Sequence, residues 1–166
     1  MRAAGFKRDI VAGSGTGTFD FDADVDVFTE LEVGSYVFMD VDYNTVQRKP
    51  GYTHQFKTSL FVQATVVSAS VSGRATTDAG FKSLATDGPK PTIVQGAPDG
   101  SGFVFMGDEH GCVLLPEGAN GLNVGDTIVY ETPHCDPTVN LYDFYHCVRG
   151  DVLVDIWPID TRGCAW

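Results

Sequence analysis

No apolar run in this chain is long enough to cross a bilayer, so a membrane partner is not expected. The opening stretch, MRAAGFKRDIVAGSG, has basic residues but no apolar segment of secretory length, and it does not read as a signal peptide. Positive charge is scarce: 11 Lys and Arg stand against 22 Asp and Glu, giving a formal net charge of −11. Phosphate backbones need a basic stripe, so nucleic acid is excluded as an expected partner. No CxxC pair occurs, and Cys112, Cys135, Cys147 and Cys164 all fall in the C-terminal third. That clustering does not make a disulfide framework for the whole chain; reduced thiols in a cytoplasmic protein are expected. No window of helical length carries a sustained apolar repeat at three and four, and no internal repeat is present.

What is present is strand-forming sequence. SYVFMDVDY (35–43), SLFVQATVVSASV (59–71), GFVFMGDEHGCVLL (102–115), DTIVYETP (126–133) and VLVDIWPI (152–159) are rich in β-branched and aromatic residues. Gly-, Pro-, Asp- and Asn-rich punctuation separates them, as in PDGSG, PEGANGLNVGD and RGD. The pattern predicts a mainly β chain, an antiparallel β barrel or sandwich from about residue 30 onward. The first thirty residues differ. DIVAGSGTGTF (9–19) reads as a short strand, without an evident partner, running into a glycine-rich loop. FDFDADVDVFTELEVG (19–34) reads as an acidic connection into the β domain, and the N-terminal part reads as the end of something longer.

Four stretches carry possible chemistry. ETPHCDPTVN (131–140) sets His134 and Asp136 two positions apart between Pro133 and Pro137. On an extended backbone such positions project to one side, so an imidazole and a carboxylate could share a cation. Two ligands are too few for a closed structural site but suit an ion with open positions. The alternative is a surface loop with an incidental His and Asp. GSGTGT (13–18) offers backbone N–H groups and the hydroxyls of Ser14, Thr16 and Thr18 to an anion such as phosphate, at the end of a barrel strand; the alternative is a plain flexible loop. GDEHG (107–111) contains Asp108, Glu109 and His110 but reads as a hairpin tip. Lys82, in TTDAGFK, reads as a solvated loop lysine rather than an imine-forming one.

In order and spacing, GSGTGTF, GSYVFMDVDY, DAGFK, DEHG, PHCDPTVN and WPIDTRG resemble the C-terminal portion of the D-threonine aldolase, D-3-hydroxyaspartate aldolase and D-serine dehydratase family. The resemblance covers nearly the whole chain. It implies an alanine-racemase-like β domain over residues 31–166, preceded over residues 1–30 by the remnant of a (β/α)8 barrel that binds pyridoxal 5′-phosphate. It implies that Ser14, Gly15 and Thr16 belong to the phosphate loop and that His134 and Asp136 bind a divalent metal. Asp136 stands where the dehydratases have cysteine, so manganese or magnesium is implied ahead of zinc, with Cys135 turned from the ion.

The resemblance further implies a lyase that cleaves a D-configured β-hydroxy amino acid to glycine and an aldehyde or oxo acid. The cofactor would be the electron sink and the ion would act at the β-hydroxyl. A homodimer is implied too. No base is identifiable, and His134, as a ligand, is unavailable for that role. None of Lys7, Lys49, Lys57, Lys82 and Lys90 corresponds to the family's cofactor lysine, so this chain alone is expected to be inactive. The alternatives are a D-serine dehydratase-like ammonia-lyase and a non-catalytic β domain that binds metal or mediates dimerisation.

Overall fold

Gly5 and residues 9–53 and 55–164 are described in the computed structural model of the chain; Lys7 and the rest of the N-terminal segment lie outside them. The chain begins with β1 (Ala12–Gly13), the short helix α1 (Phe19–Asp22) and β2 (Glu30–Leu31). A 3-10 turn (Ser35–Val37) and α2 (Val41–Thr45) follow. Then come β3 (Phe61–Ser68), β4 (Arg74–Thr77), β5 (Thr92–Gln95), β6 (Gly102–Phe105), β7 (Gly111–Leu114) and β8 (Thr127–Glu131). After α3 (Cys135–Val139), β9 (Phe144–Arg149) and β10 (Val152–Pro158) complete the order.

β3 to β8 build one antiparallel sheet in the order β5-β8-β3-β4-β7-β6. Its outer strands β5 and β6 return to within 8 Å of each other, Cα to Cα, so the sheet curls into a half-barrel. The period of two dictates which side is filled. Along β3, Val62, Ala64 and Val66 are buried while Phe61, Gln63 and Thr65 face outward. The inner residues meet Ala75, Ala79, Leu84, Phe103, Val113, Ile128 and Tyr130 in one core. Tyr130 is fully buried, and its hydroxyl pairs with Thr77 Oγ1 at 3.0 Å. Burial pushes that phenol up to about 12, against the opposing hydrogen bond from Thr77. β9 and β10 form a separate hairpin that turns at Gly150, and Val148, Leu153 and Trp157 on it are exposed.

The mainly β, antiparallel architecture is as expected, and β6 and β7 pair across GDEHG as a hairpin. Two local readings are corrected. SYVFMDVDY is not a strand: it forms the 3-10 turn and α2. The Asp40 side chain accepts the Tyr43 N–H at 2.8 Å, an N-cap bond that outcompetes the extended form, and Met39 takes a left-handed φ of 52°. The acidic segment after GSGTGT is more than a connection. It holds α1 and β2, and β2 pairs in parallel with β1, Ala12 opposite Glu30 and Gly13 opposite Leu31. Parallel strands require a crossover, and α1 supplies its helix. This is the kind of unit from which (β/α)8 barrels are made.

Gly111 gives a direct test of the core. A Cβ there would lie 2.3 Å from a Phe103 ring carbon and 2.5 Å from the Ala79 carbonyl oxygen. The ring can turn, but the carbonyl belongs to backbone. Gly111→Ala is expected to cost about 1–3 kcal/mol by overpacking, read as a lowered urea midpoint with unchanged slope.

Candidate metal centre

The site is built where β8 runs into α3. Thr132 and Pro133 continue from β8, and their carbonyls accept the N–H groups of Val41 and Asp42, both at 3.1 Å. His134 is still extended, with φ −142° and ψ 123°, and is the N-cap of α3. Asp136 already lies in the first helical turn, where Pro137 is also tolerated. The two side chains therefore do not converge by strand alternation, as expected from spacing. They converge because the chain turns a corner between them. His134 Nε2 and Asp136 Oδ2 are 3.4 Å apart.

Three further residues hold this corner. Asp40 is fully buried, and its second oxygen accepts the Cys135 N–H at 2.6 Å. One carboxylate thus caps α2 and also satisfies the first N–H of α3, whose own N-cap side chain makes no capping bond. Ser35, in the 3-10 turn, donates its hydroxyl to Asp136 Oδ2 at 2.8 Å. Asp87 Oδ2 lies 2.9 Å from His134 Nδ1. The Cys135 sulfur is buried, 3.7 Å from Asp136 Oδ2.

Electrostatics separate the roles of these groups. Burial opposes the charged imidazole of His134, but the hydrogen bond and charge of Asp87, reinforced by Asp40 and Asp136, raise its pKa above the ordinary histidine value. Burial, with the hydrogen bond to Asp40 and the nearby acids behind it, pushes the Cys135 thiol far up, so at neutral pH it is not a thiolate able to compete for a cation.

A divalent ion fits the pair. Ligands on bonds of about 2.1 Å to one tetrahedral or octahedral ion stand about 3.0–3.4 Å apart, which matches the Nε2–Oδ2 spacing. Among the described residues no set of three or more His, Cys, Asp and Glu side chains is arranged to hold an ion.

GSGTGT forms a tight turn in which Thr18 and Phe19 both donate to the Gly15 carbonyl, at 3.1 and 3.0 Å. Ser14 adopts φ 72°, and its hydroxyl pairs with Thr18 Oγ1 at 3.3 Å. Thr16 is buried: its hydroxyl accepts the Tyr36 N–H at 3.0 Å and its carbonyl accepts Arg48 Nη1 at 2.7 Å. A Cβ at Gly15 would meet nothing within 4 Å, so open space lies beside the loop there. Ser35 and Tyr36 are consecutive, so one turn touches Asp136 on one side and the glycine-rich loop on the other.

The remaining candidates fall elsewhere. Asp108, Glu109 and His110 are exposed at the β6–β7 tip. Lys82 pairs with Glu109, whose hydrogen bond and charge raise the lysine pKa, the opposite of what an imine-forming lysine needs. Asp40, Ser35 and Asp87 were not foreseen from the sequence. Their signals are those of a helix cap and of turns, and only the fold joins them to His134, Cys135 and Asp136.

The chain is similar to several known proteins along most of its length. A family model for the putative serine dehydratase domain matches residues 59–148, more than half of the chain. A D-threonine aldolase from Arthrobacter sp is 40% identical over 163 residues, which cover 98% of this chain and 42% of that protein. A 3-hydroxy-D-aspartate aldolase from Paracoccus denitrificans (strain Pd 1222) is 34% identical, covering 98% and 42%. The crystal structure of D-threonine aldolase from Filomicrobium marinum superposes with a TM-score of 0.88 at 37% identity, over 99% of this chain and 44% of that one. D-threo-3-hydroxyaspartate dehydratase from Delftia sp. HT23 shares the fold, with a TM-score of 0.74 at 24% identity. The chain spans less than half the length of the curated relatives it matches. By the match over residues 59–148, the chain belongs to the putative serine dehydratase domain family.

Proposed function

We propose that this chain is the metal-bearing β domain, with the last elements of the barrel, of a pyridoxal-phosphate- and divalent-metal-dependent lyase. The substrate class is a D-configured β-hydroxy amino acid of the D-threonine or D-3-hydroxyaspartate type, cleaved to glycine and an aldehyde or oxo acid. The observation that carries the reading is the 3.4 Å convergence of His134 Nε2 and Asp136 Oδ2 at an open corner. When bound, the cofactor supplies an electron sink at Cα and the ion supplies positive charge beside the substrate's β-oxygen.

The chain's own residues do the rest. His134 and Asp136 hold the ion, and the hard carboxylate favours manganese or magnesium over zinc. Cys135, kept neutral, stays out of the ligand set. The GSGTGT turn, with Ser14, Gly15 and Thr16, would hold the cofactor's phosphate, and the consecutive Ser35 and Tyr36 join that turn to the metal pair. Residues 1–30 would belong to the barrel, and a homodimer and a cytoplasmic location complete the reading. Asp136, and aldolases at 34–40% identity, favour cleavage over dehydration.

The test is product analysis on this chain joined to the part of one of those relatives that it does not span, supplied with pyridoxal phosphate, Mn2+ and D-threonine or D-3-hydroxyaspartate. Glycine with an aldehyde or oxo acid supports the reading. A 2-oxo acid with ammonia supports the dehydratase instead, and no turnover by a folded, cofactor-loaded protein supports a non-catalytic domain.

A further inference from the structure

The loop between β4 and β5 is tied to His134 at more than one point. Ala85 donates its N–H to Thr138 Oγ1 at 3.1 Å, and the same hydroxyl donates to the His134 carbonyl at 2.7 Å. Thr138, Ala85 and Leu84 are all buried, so this contact is anchored in packed structure. Three residues beyond Ala85, the backbone passes close enough that a Cβ at Gly88 would lie 3.7 Å from His134 Cβ. Asp87 sits between these fixed points. Its Oδ2 reaches His134 Nδ1 at 2.9 Å, and it makes no other hydrogen bond among the described residues. Its side chain is 56% exposed, so it contributes little to the core.

We infer that Asp87 is a positioning residue of the metal centre: by accepting the Nδ1–H of His134 it selects the tautomer whose Nε2 lone pair faces Asp136 and the ion. The inference rests on the metal reading proposed above. The physical reason is geometric. An imidazole has two nitrogens and can rotate about its bonds; a carboxylate on one nitrogen fixes both the ring orientation and which nitrogen is bare. Without it the ring is free to adopt the other tautomer and leave the coordinating direction. Asp87 needs no contact with the ion, substrate or cofactor for this role.

The test uses Mn2+ alone as probe, with free Mn2+ followed by electron paramagnetic resonance, on the wild type, Asp87→Ala, Asp87→Asn and His134→Ala. The wild type is expected to bind. Asp87→Ala should weaken binding about 10–100-fold, as loss of an outer partner does elsewhere. Asp87→Asn keeps an acceptor oxygen and should recover part of that loss. Because the residue is exposed, all Asp87 variants should keep the wild-type melting temperature at alkaline pH, where His134 is neutral, which separates positioning from folding.

A second readout needs no metal. Nitrogen-15 shifts of the His134 ring at alkaline pH should show a protonated Nδ1 and a bare Nε2 in the wild type, and a shift toward the other tautomer in Asp87→Ala. Binding lost in His134→Ala but unchanged in Asp87→Ala, with the tautomer unmoved, would overturn the role of Asp87 and leave the metal site standing. No Mn2+ binding by the wild type would overturn the site and the inference together.

Discussion

Replacing His134 with alanine should remove divalent-metal binding and, in a form carrying the barrel, the lyase activity with it. The chain supplies two ligands, so the loss of one leaves a lone, mostly exposed carboxylate, which holds a divalent ion only weakly in water. The drop in Mn2+ affinity should exceed the roughly 10–100-fold cost of losing an outer partner, and calorimetric titration reads it directly. Asp136→Ala should do the same, whereas Cys135→Ser should leave affinity unchanged because that thiol stays protonated.

The pH dependence follows from the same nitrogen. Metal binding requires neutral Nε2, and the acids around His134 raise its pKa above the ordinary value of 6.5. Below that raised value affinity should fall by about tenfold per pH unit, as one proton must leave for each ion bound. The sign for metal-free folding is opposite: a raised pKa contributes stability that is present at low pH and is lost as pH rises through the folded-state value.

Asp40→Ala should produce the largest loss of stability. The carboxylate is fully buried and accepts two backbone N–H groups, one starting each of two helices. Loss of an N-cap costs about 0.5–2 kcal/mol, and loss of a second hydrogen bond to a charged acceptor about 1.5–3 kcal/mol. Together these come to about 2–5 kcal/mol, a large part of the roughly 5 kcal/mol that holds a weakly stable domain. A fall in melting temperature of about 5–20 °C is expected. Asp40→Asn should not rescue it. The amide has one acceptor oxygen, and its NH2 would face the other N–H, donor against donor. Wild-type stability in Asp40→Asn would show that only one of the two bonds matters. Because Cys135 N is one of the partners, both variants should also loosen α3 and weaken Mn2+ binding.

The strands were legible in the sequence because one face of the sheet is buried, and β3 writes that fact as alternation: Val62, Ala64 and Val66 inside, the residues between them outside. The same composition misled in SYVFMDVDY. Tyr36 and Val37 stay exposed there, while Asp40 is buried and caps a helix, so a local side-chain hydrogen bond overrode the β-branched and aromatic content. β1 and β2 were illegible as a pair because each is two residues long and they meet only across a crossover.

In the site, His134 and Asp136 were readable because they are near neighbours in sequence, although a strand-to-helix corner, not an extended run, brings them together. Asp87 lies 47 residues from His134, and Ser35 lies 101 from Asp136. No local spacing can announce such pairs; they exist only once the fold has buried Leu84 and Thr138.

The central claim is that one divalent ion sits between the imidazole and the carboxylate at the end of β8. Anomalous diffraction from crystals soaked in Mn2+ tests it most directly. A single strong peak about 2.1 Å from both His134 Nε2 and Asp136 Oδ2, with its remaining coordination filled by solvent, is the predicted result. A map with no manganese at that corner under saturating Mn2+, or with the ion bound away from either of these two atoms, would contradict the account.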